Sequence, residues 1–381
     1  MFEQSKPPAL QFRFLGTGTG FFKIWFVNVA LIILTLGIYL PWAKVRAQRY
    51  LYQNTELWGS RFEYHGNPKA LLRGYLLVFV LGILYALLSQ TAPILSLVLI
   101  LLVACGLPYL MVRSLQFNMV NSSFKGIRFG FVGTVKGMCW AMMLPSLVVL
   151  AGLLLWVVVR WVLASSVPDV VWVLLLVVGV LAAMGWMLLR QRLYVLNHLC
   201  FGRSNCSVAL SRADTLMLGV KSVTMLAVFV AVLGFVGWYL FFLFSAAIPA
   251  DGSGALPPPV AMLPMFLVPL FYIFSIVWTS FSMAELTRVV WNHTQLAQVH
   301  TFHSTLNPWK MVWIQLSNTV LLTLTFGLYR PFAVVRVLRY RLENTHLTVQ
   351  GSAEQFLASE QAQVSATGES MVDALGFDVQ L

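Results

Sequence analysis

Arg46, Arg49 and Asn54 stand in the stretch LGIYLPWAKVRAQRYLYQNT (36–55), and at helical spacing they share one face with Tyr50 and Gln53. Arg336, Arg339, Tyr340 and Asn344 repeat the arrangement near the other end of the chain, in FGLYRPFAVVRVLRYRLENT (326–345). Arg113 with Asn121, and Arg192 with Asn197, are partial versions. A guanidinium offers a planar fork of donors suited to phosphate or carboxylate, and an Asn amide donates and accepts at once. Converging, these faces would make a cytoplasmic anion or phospholipid-headgroup site. The Arg-to-Asn spacing of eight residues at 46–54, 113–121 and 336–344 favours that reading. Anchoring helix ends to anionic headgroups, at about 1 kcal/mol per cation, needs charge but no register.

Other groupings carry less chemistry. None of the 13 acidic residues falls in the middle of an apolar stretch, so there is no carboxylate for an intramembrane proton relay. GTGTG (16–20) lacks the Lys-Ser/Thr of a phosphate loop, and neither HExxH nor GxSxG occurs. Cys105, Cys139, Cys200 and Cys206 form no CxxC pair. His198 with Cys200 and Cys206 leaves a metal site incomplete, so free thiols facing a reducing cytoplasm are expected. His293, His300 and His303 read as polar-loop histidines. We therefore expect no metal, no cofactor and no enzymatic activity.

The Arg–Asn strips belong to a unit that recurs. Ten of the twenty residues at 36–55 are identical to 326–345. LPYLMVRSLQFNMVNS (107–122) and RQRLYVLNHLCFG (190–202) are further copies, and ELTRVVWNHTQL (285–296) is a degraded one. Each unit reads as an apolar helix, a basic helix, then a polar–aromatic alternation such as LWGSRFEYHG (57–66) or FKGIRFGFVG (124–133). Such alternation predicts a short strand or hairpin. LQFRFLGTG (10–18) and LAQVHTFHST (296–305) are related pieces.

The chain of 381 residues is 59% hydrophobic and 10% charged, which places it among membrane proteins. Ala70–Leu88, Ile94–Val112, Met138–Val159, Val170–Leu189, Val220–Phe244 and Ala261–Met283 are long enough to cross a bilayer. Ile24–Trp42 and Met311–Tyr329 are shorter, and no cleavable signal is expected. All Lys and Arg except Arg160 fall in segments that share one side when six helices cross, and the basic side is cytoplasmic. That places the net charge of +12 beside the bilayer rather than on nucleic acid. It also requires the two shorter segments to turn back, with breaks at Gly37, Pro41, Gly327 and Pro331. Eight plain spans are the alternative. From Leu342 onward there is no Lys or Arg and there are six acids, the composition of a solvated tail. Within it Glu369, Asp373 and Asp378 could dock on the basic faces.

The run NVALIILTLGIYLPWAKVRAQRYLYQNTELWGSRFEYHGNPKALLRG (28–74), with GESMVDALGFDV (368–379), closely resembles the YjgN-like bacterial inner-membrane proteins, a family without an assigned activity. The resemblance implies a multi-pass inner-membrane protein of a Gram-negative bacterium. It transfers no catalytic or binding residue.

The expected fold is an all-α polytopic membrane protein of six transmembrane helices plus two re-entrant or tilted segments, built from degenerate repeats with short cytoplasmic β elements. Residues 1–345 would form the membrane domain and 346–381 an acidic, flexible cytoplasmic tail. The expected function is transport or permeation, with Asn28, Thr35, Asn318 and Thr325 lining a path. The alternative is a scaffold that binds lipid headgroups or a protein. The expected partner is the bilayer, chiefly anionic phospholipid headgroups, with self-association left open.

Overall fold

Strands of three to six residues organise the molecule. A computed structural model describes residues 9–162, 169–245, 263–351 and 354–362. The chain runs β1 (Ala9–Phe14), α1 (Gly18–Leu34), α2 (Leu40–Gln53), β2 (Thr55–Leu57), β3 (Ser60–Tyr64), α3 (Pro68–Thr91), α4 (Pro93–Val120), β4 (Ser122–Phe124) and β5 (Ile127–Phe131). It continues through α5 (Val135–Val162), α6 (Asp169–Asn197), β6 (Leu199–Phe201), β7 (Ser204–Val208), α7 (Arg212–Ser245), α8 (Leu263–Asn292), β8 (Thr294–Leu296) and β9 (His300–Ser304). Then come α9 (Pro308–Leu324), α10 (Arg330–Glu343), β10 (Thr345–Thr348) and α11 (354–362).

The all-α expectation is overturned. All ten strands close into one antiparallel barrel, β1-β10-β9-β8-β7-β6-β5-β4-β3-β2 and back to β1. The reason lies in pairing between units. A three-residue and a five-residue strand make a marginal hairpin alone. Here β3 pairs with β4, β5 with β6 and β7 with β8, so each hairpin is completed by the next. The two ends of the chain supply the last pair, with Leu10 opposite Leu347 and Gln11 opposite His346. Trp58-Gly59 and Lys125-Gly126 all have positive φ, the geometry of a two-residue I′ turn. Alternation then sorts the faces: Leu10 and Phe12 point inward, while Arg13, Glu56 and Arg61 stand opposite one another outside.

Five helix pairs leave the barrel between the strands. Each helix packs on the next, and α10 packs on α1, so the helices also form a ring. Phe22 meets Phe332 there with ring centroids 5.7 Å apart. Among the described residues five helices are long and apolar enough to cross a membrane, rather than six: α3, α4, Val135–Leu155 of α5, Arg212–Tyr239 of α7 and Val268–Asn292 of α8. The expected sixth, Val170–Leu189, lies in α6, a continuous helix of 29 residues, and most side chains of that span lie outside the described residues.

The two shorter segments are divided between helices. α1 and α9 have 17 residues each and end at Thr35 and Thr325. These hydroxyls donate back to the Leu31 and Leu321 carbonyls at 2.7 and 2.6 Å and accept the Tyr39 and Tyr329 N–H at 3.1 Å. Gly37 (φ +92°) and Gly327 (φ +88°) turn the chain. Pro41 and Pro331 begin the next helix, where a missing N–H leaves no bond unmade.

Tyrosine ties returning helices to outgoing ones. The Tyr340 hydroxyl accepts the Asn307 N–H at 2.9 Å and donates to the Asn307 carbonyl at 3.2 Å. Tyr50 does the same at Thr17, and Tyr194 at Thr134. Tyr340 is buried, so Tyr340→Phe leaves two backbone groups short of a partner. We expect a loss of about 1–3 kcal/mol, read as a lower thermal midpoint in detergent; an unchanged midpoint would show the clamp to be energetically idle.

Candidate functional site

The predicted Asn residues are helix ends. Asn54, Asn121 and Asn344 donate from Nδ2 to the carbonyls of Tyr50, Phe117 and Tyr340 at 2.7–2.8 Å. Their own carbonyls accept the N–H of Leu15, His65 and Thr305, where a neighbouring strand leaves the barrel. In the third and fourth units this place falls to His198 and His293, whose Nδ1 atoms meet the Tyr194 and Val289 carbonyls at 2.8 Å. Asn197 is therefore one residue out of register, and its Oδ1 accepts the Val208 N–H instead.

The predicted arginines are dispersed. Arg336 donates to Ser317 Oγ at 2.8 Å and to the buried Asn318 Oδ1 at 3.4 Å. Arg339 donates to the Gly16 carbonyl at 2.8 Å. Arg113 bonds Gln116 on its own helix and lies over Tyr109. Arg46 and Arg49 are exposed on α2. Asn28, like Asn318, is buried between helices and donates to the Ala43 carbonyl. The charge of Arg192 acts on a basic residue of a distant element. Arg341 on α10 is reached by solvent yet largely desolvated, and burial with the nearby Arg192 charge holds its guanidinium below the usual range. α6 and α10 are not neighbours in the ring, so this repulsion acts between helices that are not adjacent in it.

An apolar chamber of about 260 Å3 lies inside the barrel. Phe12, Phe62, Phe124, Phe129, Phe201 and Phe302 line it from six different strands. Phe62 and Phe124 stack at 4.7 Å, and Phe129 meets Phe201 at 5.1 Å. Met119, Leu196 and Trp291, from the last turns of α4, α6 and α8, reach the mouth beside the helices. The Cys206 thiol sits in the lining, pushed up to about 11 by burial and by Cys200.

At the rim of hairpin turns, α11 closes the chamber with Phe356 and Leu357. Glu360, itself buried, accepts the Arg203 N–H at 2.8 Å and the Ser204 hydroxyl at 2.5 Å. Gln361 donates to the Lys125 carbonyl at 2.8 Å. His300, neutralised further by burial, takes the Gln350 N–H on Nδ1 and lies edge-on to Phe356. Glu369, Asp373 and Asp378, the acids expected to dock, lie outside the described residues.

Residues 9–374 match the model of a family described as "Bacterial protein of unknown function (DUF898)". The chain belongs to the DUF898 family. It is 28% identical over 351 residues to "Inner membrane protein YjgN" of Salmonella typhimurium strain LT2, covering 90% of this chain and 88% of that protein. It is 29% identical over 360 residues to the protein of the same name from Escherichia coli O157:H7, covering 89% of each. No solved structure matches.

Sequence reasoning about this DUF898 chain missed the chamber, Arg341 and α11. Signals for the chamber and α11 were present: Phe at alternate strand positions, and the apolar pair Phe356-Leu357 inside a polar tail. Deleting 350–381 should speed alkylation of Cys206 about tenfold or more at pH 8, read for each cysteine by mass spectrometry. Full-length and shortened chains should both react faster as pH rises toward 11, because the thiolate is the nucleophile. Acid should loosen the seat of α11. His300 is held neutral in the fold, its pKa lies lower there than in the undocked chain, and proton uptake below about pH 6.5 favours release. Equal Cys206 rates with and without 350–381 would show that α11 does not close the chamber.

Proposed function

We propose that this DUF898 protein is a bacterial inner-membrane permeation protein for a molecule with an anionic group and an apolar tail. The chamber receives the tail, and Arg192 with Arg341 meets the anion. The observation that carries this reading is an apolar chamber within a barrel whose mouth is made of helix ends. Support comes from the helices above it. Leu76, Leu77, Val78, Phe79 and Val80 of α3 are between 50 and 63% exposed, and five consecutive residues cover more than a full turn. That stretch is largely exposed all round, so bilayer-soluble molecules can reach the ring wall there.

The charges favour a cytoplasmic barrel, since every Lys and Arg except Arg160 belongs to the barrel-side segments. On that reading β1 and β10, which pair with each other, also face the cytoplasm. The chamber lining offers His300 and two thiols but no carboxylate, which supports passage or binding over catalysis. A scaffold without transport is the second reading. What favours it is that the recurring Asn and Tyr serve helix ends rather than a ligand.

A fluorescent long-chain carboxylate distinguishes the two. It should bind the detergent-purified protein, and Leu10→Trp, which fills the chamber, should abolish binding. Arg192→Ala with Arg341→Ala should weaken it about tenfold, roughly 1.4 kcal/mol. Binding that ignores both changes, or no binding at all, removes the permeation reading and leaves the scaffold.

A further inference from the structure

A second cavity lies apart from the barrel, between α7 and α8. It is a groove of about 670 Å3, a volume usual for ligand sites. Val228 and Val232 form one wall, and Leu270, Ile273 and Val277 the other. Lys221 stands at one end with Trp309 of α9, whose indole lies 5.2 Å from the Phe281 ring. From Lys221 to Val232 the helix rises about 16 Å, close to one leaflet of a ~30 Å hydrocarbon core.

The charged end is built rather than incidental. Glu285 is 3% exposed, and one of its oxygens accepts both Lys221 Nζ and Arg288 Nη2 at 2.7 Å. One carboxylate between two cations leaves a net positive charge at the groove's head. Both cations stay partly exposed, and Lys221 lines the groove itself. Trp309 is 62% exposed beside them, and an indole favours the depth of the headgroups. Cations and an indole at one end and apolar walls along the rest match the headgroup and acyl chain of a lipid.

We propose that this groove holds one anionic phospholipid, its phosphate against Lys221 and an acyl chain laid between α7 and α8. The site is independent of the chamber and of the permeation reading. What separates it from ordinary contact with the bilayer is concavity joined to a fixed charge at leaflet depth.

Native mass spectrometry tests it on full-length protein reconstituted with equal amounts of phosphatidylglycerol and phosphatidylcholine, then extracted in detergent. Wild type should retain one phosphatidylglycerol. Val228→Trp fills the groove at an exposed position and should lose that lipid. Lys221→Ala leaves the Glu285–Arg288 pair and should cut the preference for phosphatidylglycerol about fivefold. The proposal fails if wild type keeps the two lipids equally, or if Lys221→Ala keeps the full preference. It fails too if Val228→Trp retains lipid, or turns a dimer into a monomer, which would give the groove to a second copy of the chain. The chamber variants Leu10→Trp and Arg192→Ala should leave this lipid in place, so the two sites stand or fall separately.

Discussion

Backbone pairing between β1 and β10 is the interaction on which the architecture rests. Without it the remaining strands would be an open sheet of very short elements, with unpaired N–H and C=O groups at both edges. Closure removes those edges and joins the first helix pair to the last. Gln11 Nε2 donates to the Glu343 carbonyl at 2.8 Å, and Arg339 reaches Gly16 at the same seam. The chamber exists only because the sheet has no ends.

The recurring polar residues serve this closure. A helix that stops leaves carbonyls without partners. Here the stopping residue spends its side chain on the helix behind it and its carbonyl on the strand beside it, at each of five junctions: Asn54, Asn121, His198, His293 and Asn344. The eight-residue spacing from Arg to Asn is thus a spacing from helix flank to helix end. In the fourth unit Glu285 stands eight residues before His293, where the others carry Arg46, Arg113, Arg190 and Arg336. That substitution turns a basic flank into the carboxylate clamp of the groove.

Several elements were legible because they follow from local chemistry. Alternation marked β3 and β5, and Gly37 and Gly327 marked the turns. Closure was not legible, since a strand of three residues carries no sign of its partner: Phe62 finds Phe124, and Phe14 finds Thr55, only through intervening helix pairs. The alignment of the third unit also misled by one residue, because an imidazole can take the place of an amide at a helix end. Arg341 escaped notice for a similar reason: the matching position of α2 is Leu51, so no repeat pointed to it.

The seam has a further consequence, for the order of assembly. Its Gln11–Glu343 bond spans 332 residues, so β1 is made long before β10 exists to receive it. Until then the strands can be held near one another only by the helices that flank them. The last strand acts as a clasp, and a chain that ends before Thr345 would keep a sheet that still gapes between β1 and β9.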